Sequence, residues 1–246
     1  MKIIGLVGGT SYLSTVDYYK RINEGINQNL GALNFSECLV YSFNFQQIKN
    51  MMDTDNWSGI TSNLISVCKK LQNSGVHCIV LCANTLHYVA DEVQKSIDIP
   101  IINIATATAK SIQKQDLTKV GLLGTKFTME YDFFKAKLIE FGIEAIIPIS
   151  VEDRQFVHDV IYNELSKGIF KSQSKTRYLT IIDKLRQSGA QGIIAGCTEI
   201  PLLITPSDLL IPFFDTTIIH CDAVIKYSFP RVSFEEYSTF SVIFEL

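Results

Sequence analysis

No stretch of about 18 consecutive apolar residues occurs in this 246-residue chain, so nothing in it reads as a membrane span. Positive charge is not in excess. The 22 Lys and Arg stand against 25 Asp and Glu, a net charge of −3, which leaves no field to recruit nucleic-acid phosphates. Neither the GxGxxG dinucleotide fingerprint nor the GxxxxGK[ST] phosphate loop is present, which argues against a nucleotide ligand. The six cysteines, Cys38, Cys68, Cys78, Cys82, Cys197 and Cys221, form no CxxC pair and no zinc-ligand spacing, so no metal site is expected. The first apolar run stops at Val7, too short for a signal-peptide core, and no small-residue cleavage site follows. These readings lead us to expect a cytoplasmic protein, with most cysteines acting as small buried hydrophobes in a reducing compartment.

What is present is ample apolar material. Hydrophobic residues are 47% of the chain and charged residues 19%, a balance that suits a folded core. Short apolar runs alternate with amphipathic stretches. Strands are expected at 2–7, 39–45, 78–82, 100–103, 119–124, 145–149 and 192–196. Helices are expected at about 10–29, with Val16, Tyr19, Ile22 and Ile26 as its apolar positions, and at 57–73, 131–141, 153–167 and 176–188, with another starting at Asn84-Thr85. The stretch around Asp53, Asp55 and Trp57 reads as a polar connection. Continuous apolar strands between helices predict parallel sheets covered on both faces.

The pattern occurs twice. GLVG at 5–8 returns as GLLG at 121–124, KLQNSG at 70–75 as KLRQSG at 184–189, and IPIIN at 99–103 as IPFFD at 211–215. Three matches in one order predict two copies of one α/β unit, related by a pseudo-two-fold axis, with a ligand cleft between them. The boundaries are expected near Asp98 and Leu210: residues 1–98 plus 211–228 as one half, 99–210 as the other, and 229–246 as a tail.

In such a unit the site lies beyond the carboxyl ends of the strands. That selects four strand-to-helix loops: Gly8-Gly9-Thr10-Ser11, Ala83-Asn84-Thr85, Gly124 through Thr128, and Gly196-Cys197-Thr198-Glu199. Each presents backbone N–H groups and hydroxyls that suit a small anion. Cys197 stands apart from the other cysteines. At a helix N-terminus its thiolate is expected to be favoured, able to remove a proton, attack a carbon or, with least support, bind metal.

The segments GLVGGTSYLST, LCANTLH at 81–87, GLLGTKFTMEYDF at 121–133, AGCTEIPLL at 195–203 and FFDTTIIH at 213–220 resemble the aspartate/glutamate racemase family over about residues 1–228. Within it, the chain is similar to the branch of broad-specificity and L-aspartate/glutamate-specific racemases. The resemblance implies a racemase free of metal and pyridoxal phosphate, which moves the α-proton of an amino acid between two acid/base groups on opposite faces of Cα. It implies that Cys197 is one of them. It also implies that substrate is held by Asn84, Thr85 and Thr198, by Thr10 and Ser11 in the first loop, by Thr125 and Thr128 in the third, and by Glu199. With the apolar pattern of the tail, it implies a homodimer.

The sequence departs from the family where the other acid/base residue is expected, directly before Asn-Thr. That position is Ala83. The internal repeat gives the same correspondence, since an offset of 114 sets Ala83 opposite Cys197. Cys82 lies one residue earlier and, by strand alternation, faces the other way unless the strand end bends. His87 is expected to orient the loop or to be a satisfied histidine, and His220 to be structural. Besides a racemase, a lyase or decarboxylase using Cys197 alone and an amino-acid-binding protein without turnover fit these residues.

Overall fold

The computed structural model describes residues 1–229. The tail from Pro230 to Leu246, for which a strand or helix was expected, lies outside the described residues. The amino-terminal half contains β1 (Ile4–Gly8), α1 (Tyr12–Leu30), β2 (Cys38–Ser42), α2 (Phe45–Asp53), α3 (Trp57–Asn73), β3 (Cys78–Leu81) and α4 (Ala90–Gln94). After α5 (Ile104–Gln113) come β4 (Lys119–Gly124), α6 (Lys126–Glu130), α7 (Asp132–Ile139), β5 (Glu144–Ile146), α8 (Val151–Asn163), α9 (Ser172–Gln187), β6 (Ile193–Gly196), β7 (Phe213–Asp215) and α10 (Thr216–Ser228).

The strands form two parallel sheets, ordered β2-β1-β3 and β5-β4-β6-β7. A single parallel bridge from Ile79 to Ile101 extends the first sheet. The repeat is therefore one of register as well as residues. Val7 pairs with Leu81, while Leu123, 116 residues later than Val7, pairs with Ala195, 114 later than Leu81. Ile79 meets Ile101, and Ile193 meets Phe213.

Each sheet buries both faces, as continuous apolar strands require. Val7, Ile79 and Leu81 pack with α3, whereas Ile4, Leu6, Cys78, Val80 and Cys82 pack with Tyr18, Ile22 and Ile26 of α1 and Cys221 and Val224 of α10. In the second sheet Leu123, Ile193 and Ala195 face α8 and α9, and Val120, Leu122 and Ile194 face α5 and α7. Val16 and Tyr19, expected on the apolar face of α1, are exposed. The buried stripe runs instead through Ser14, Thr15, Tyr18, Ile22 and Ile26. It is offset because the start of α1 lies on the end of β3, where Ser14 Oγ donates to the Cys82 carbonyl at 2.6 Å.

The two halves exchange helices. Asn103 accepts from the Ala105 and Thr106 amides and starts α5, which covers the second sheet. Asp215 accepts from the Thr217 and Ile218 amides and starts α10, which covers the first. The repeated IPIIN and IPFFD segments are thus a strand plus its helix cap. By strand pairing, the crossings fall at Asn103 and Thr216, several residues later than the expected boundaries near 98 and 210.

Candidate active site

The loops at the carboxyl ends of β1, β3, β4 and β6 converge on one cleft with about 60 Å³ of free space. At roughly 10–15 Å³ per water, that is room for a small molecule. Thr10, Ser11, Asn84, Thr85, Thr125 and Thr198 line its polar side. Of the expected ligands, Thr128 alone stays out of it. Fully buried, it donates its amide to Thr125 Oγ1, the cap of α6, and its methyl lies 3.0 Å from where a Cβ on Gly196 would fall.

The first loop is held in an unusual backbone. Gly9 has φ +88°, and a Cβ there would strike the Phe43 backbone. Its amide donates to Thr15 Oγ1 at 2.9 Å, and Thr15 Oγ1 donates to the Ser11 carbonyl. Ser11 itself sits at φ 79°, a strained conformation for a residue with a side chain.

Two sets of contacts tie the loops of both halves together. Asn84 Nδ2 donates to Thr216 Oγ1 at 3.1 Å, and Thr216 donates to the Ala195 carbonyl at 2.8 Å, so the first residue of α10 bridges the ends of β3 and β6. Thr85 Oγ1 meets Thr125 Oγ1 at 3.3 Å. Trp57, expected in a polar connection, starts α3 and stacks edge-on with Tyr88 of its own half and with Phe127 and Tyr131 of the other, an aromatic seam between the halves.

Strand alternation persists to the end of β3. Ala83 follows Ile79 and Leu81 on one face and lines the cleft. Cys82 is buried on the opposite face with Tyr18 and Cys221, and burial pushes its thiol well up from the ordinary value. By the same alternation Cys197 follows Ile193 and Ala195 and reaches the cleft from the other half. Ala83 and Cys197 thus occupy matching positions of the two repeats.

The thiol of Cys197 differs from expectation. Sγ donates to Glu199 Oε2 at 2.8 Å, and the same oxygen accepts from Thr198 Oγ1 at 2.8 Å. Burial and the Glu199 carboxylate raise the thiol well above its ordinary value, outweighing the Thr198 and Glu199 amides that lower it. Both effects favour the thiol over the expected thiolate, and β6 is followed by a three-residue 3-10 turn, Ile200–Leu202, not by the α-helix whose N-terminus would stabilise the thiolate. Glu199, expected as a substrate ligand, is engaged with its own neighbours.

Two residues lining the cleft carry a buried polar atom with no hydrogen-bond partner, Thr10 Oγ1 and Asn84 Oδ1. Orphaned polar atoms of this kind are rare in folded proteins; the Asn84 oxygen accepts from an N–H group, and the Thr10 hydroxyl can accept or donate. The histidines are satisfied structurally. Nδ1 of His87 meets the Ala83 carbonyl at 3.0 Å and Nε2 accepts the Ile104 amide. His220 bridges Tyr18 Oη at 2.8 Å and the Ile102 carbonyl at 2.6 Å. Among the described residues, no three His, Cys, Asp or Glu side chains converge as metal ligands.

Sequence reasoning missed the opposite wall. Phe45 and Met52 of α2, Ile161 and Tyr162 of α8, and Ser166 complete the lining. The spacing of Phe45, Ile48 and Met52 is helical and was the available signal for α2. Nothing local marks Ile161 or Tyr162, which reach the cleft through tertiary packing.

Two matched α/β halves, closing a cleft lined by a thiol–carboxylate pair and hydroxyl-bearing loops, define an enzyme-like fold of the amino-acid racemase type. The chain belongs to the Asp/Glu/hydantoin racemase family, whose model matches residues 7–224. It is similar to the crystal structure of a candidate Asp/Glu racemase from Yersinia pestis, with 41% identity, a TM-score of 0.88, and coverage of 93% of this chain and 99% of that one. The structure of PH1733, an aspartate racemase homologue from Pyrococcus horikoshii, matches at 36% identity with a TM-score of 0.81, covering 93% of this chain and 99% of that one. The glutamate racemase of Streptococcus agalactiae is 30% identical over 135 residues, 54% of this chain and 49% of the relative. The chain spans about half the length of the curated relatives it matches first.

Proposed function

We propose that this protein moves the α-proton of an amino acid as a cofactor-independent racemase, with Cys197 as the acid/base group. The observation that carries the reading is the Cys197–Glu199 pair, with Sγ donating to Oε2 at 2.8 Å, set in the cleft whose lining residues carry the orphaned atoms Thr10 Oγ1 and Asn84 Oδ1. An α-ammonium donates to those oxygens. The hydroxyls of Thr85, Thr125 and Thr198 and the loop amides receive the α-carboxylate, whose charge must be offset before Cα–H becomes acidic. Once the thiol has lost its proton to solvent, the Cys197 thiolate takes the α-proton, and the electron pair left on Cα delocalises into the carboxylate. On the opposite face Ala83 offers no acid, so water held beside it returns a proton.

The test is wash-in of deuterium at Cα in D2O. Wild-type protein is expected to exchange the α-proton of amino acids, and Cys197→Ala to lose exchange by about 100-fold or more while keeping its circular dichroism and melting temperature. Unchanged exchange in that variant would falsify the role of Cys197.

Ala83 favours a second reading. With a side-chain acid on one face only, the site suits a lyase or decarboxylase that protonates a planar carbanion from the Cys197 side. In D2O such an enzyme labels a single enantiomer of its product.

A further inference from the structure

We infer that the cleft selects amino acids with neutral, largely apolar side chains over aspartate and glutamate. The inference rests on the amino-acid reading above and concerns the part of the ligand beyond Cα.

The cleft has two unlike sides. The strand-end loops supply hydroxyls, amides and the two orphaned polar atoms, which are matched to an ammonium and one carboxylate. The facing wall presents Phe45 and Met52 of α2 and Ile161 and Tyr162 of α8, with Ser166 beyond α8, whose hydroxyl donates to the Tyr162 carbonyl at 2.8 Å. With Cα between positions 83 and 197 and its polar groups on the loops, a side chain is directed at this wall. Apolar surface there gains by burying apolar atoms and cannot replace the water around a second carboxylate.

Charge points the same way. Among the described residues lining the cleft there is no Lys, Arg or His side chain, and the ionisable carboxyl present, Glu199, is of like sign to a dicarboxylate. Lys49 lies just outside, over the Tyr162 ring at 5.6 Å, but its ammonium is engaged by both oxygens of Asp53. The last described residue, Phe229, packs on the core cluster of α1 and α10, and the Ser228 carbonyl accepts the Lys2 amide. That end is at the amino-terminal edge of the first sheet, the side away from the cleft. A dicarboxylic ligand would thus bring a second negative charge into a site holding Glu199 without a counter-charge.

The experiment measures binding separately from turnover. Calorimetry at pH 7.5 compares both enantiomers of methionine, norvaline and phenylalanine with those of aspartate and glutamate, using the full chain. At least one neutral amino acid is expected to bind about tenfold or more tightly than either dicarboxylate. Met52→Lys, or Phe45→Arg at a position less buried should the first variant fail to fold, is expected to narrow or reverse that ratio by about tenfold. Dicarboxylates binding as tightly as the neutral set, or no amino acid binding at all, would overturn the inference. Deuterium exchange run alongside separates the two readings. Neutral ligands that bind without exchange leave the selectivity standing and remove the racemase. Aspartate that binds best and exchanges does the reverse.

Discussion

At the scale of single residues, positions 82 and 83 decide what this site can do. A β-strand sends neighbouring side chains to opposite faces. Ile79, Leu81 and Ala83 share one face, Cys78, Val80 and Cys82 the other. The sulfur that the sequence supplies is therefore on the wrong side, and the residue facing the cleft has no acidic side-chain proton. General acid–base assistance typically contributes about 100- to 10,000-fold. Ala83→Cys is thus expected to raise α-proton exchange at least tenfold, and only while Cys197 is intact, whereas Cys82→Ala leaves the rate unchanged. Loss of exchange in Cys82→Ala, with no gain in Ala83→Cys, would reverse the assignment of faces. The raised Cys197 thiol makes a further outcome specific. Because the thiol form dominates at neutral pH, exchange should climb by about tenfold per pH unit between pH 7 and 9. Glu199→Gln removes the charge that holds the proton on sulfur, so the climb should move to lower pH. A profile flat over that range, or unmoved in Glu199→Gln, would count against the pair.

At the scale of elements, the caps of α5 and α10 do more than end a turn. Asn103 and Asp215 occupy matching positions in the repeat, and each launches a helix that leaves its own sheet to cover the other. The side-chain oxygen of Asn103 receives the Ala105 and Thr106 amides at 3.0 and 3.1 Å. Replacing such a cap by alanine typically costs about 1 kcal/mol. Asn103→Ala is expected to lower the urea-unfolding free energy by about that amount, with the transition still cooperative. A loss indistinguishable from zero would mean that water satisfies those amides. The family segment FFDTTIIH was legible as sequence, but its part in the site was not. Thr216 bridges Asn84 to the Ala195 carbonyl, a contact between elements more than a hundred residues apart.

At the scale of the whole molecule, the halves are joined around two buried neutral histidines. His87 holds the Ala83 carbonyl and the Ile104 amide, while His220 holds Tyr18 of α1 and the Ile102 carbonyl. Burial lowers their pKa values to about 4 and about 3. The unfolded chain restores the ordinary value near 6.5. Between these values the unfolded state binds more protons, so stability is complete above pH 6.5 and falls as pH drops toward 4. Each histidine contributes a slope of up to about 1.4 kcal/mol per pH unit. Urea unfolding measured from pH 7 to 5 should show this decline, and His220→Asn should reduce its slope whatever its effect on stability at pH 7. An unchanged slope in that variant would mean that His220 is already charged in the folded protein.

The sequence by itself determined the class of fold. Apolar strands, amphipathic helices and turn residues are local signals, and their repetition reported two copies of one unit. The same repetition set Ala83 against Cys197, because a register that holds through β1–β3 and β4–β6 carries matching residues to matching ends. Only the tertiary structure decided the rest. The crossings fall at Asn103 and Thr216, since which sheet a helix covers depends on surfaces distant in the chain. The ionisation of Cys197 follows from a carboxylate folded onto it and from the protein closed around it, effects that no spacing reports. The wall of Phe45, Met52, Ile161 and Tyr162 belongs to helices of both halves. It exists only once the cleft has closed, because residues contributed from separate elements acquire a common surface through packing alone.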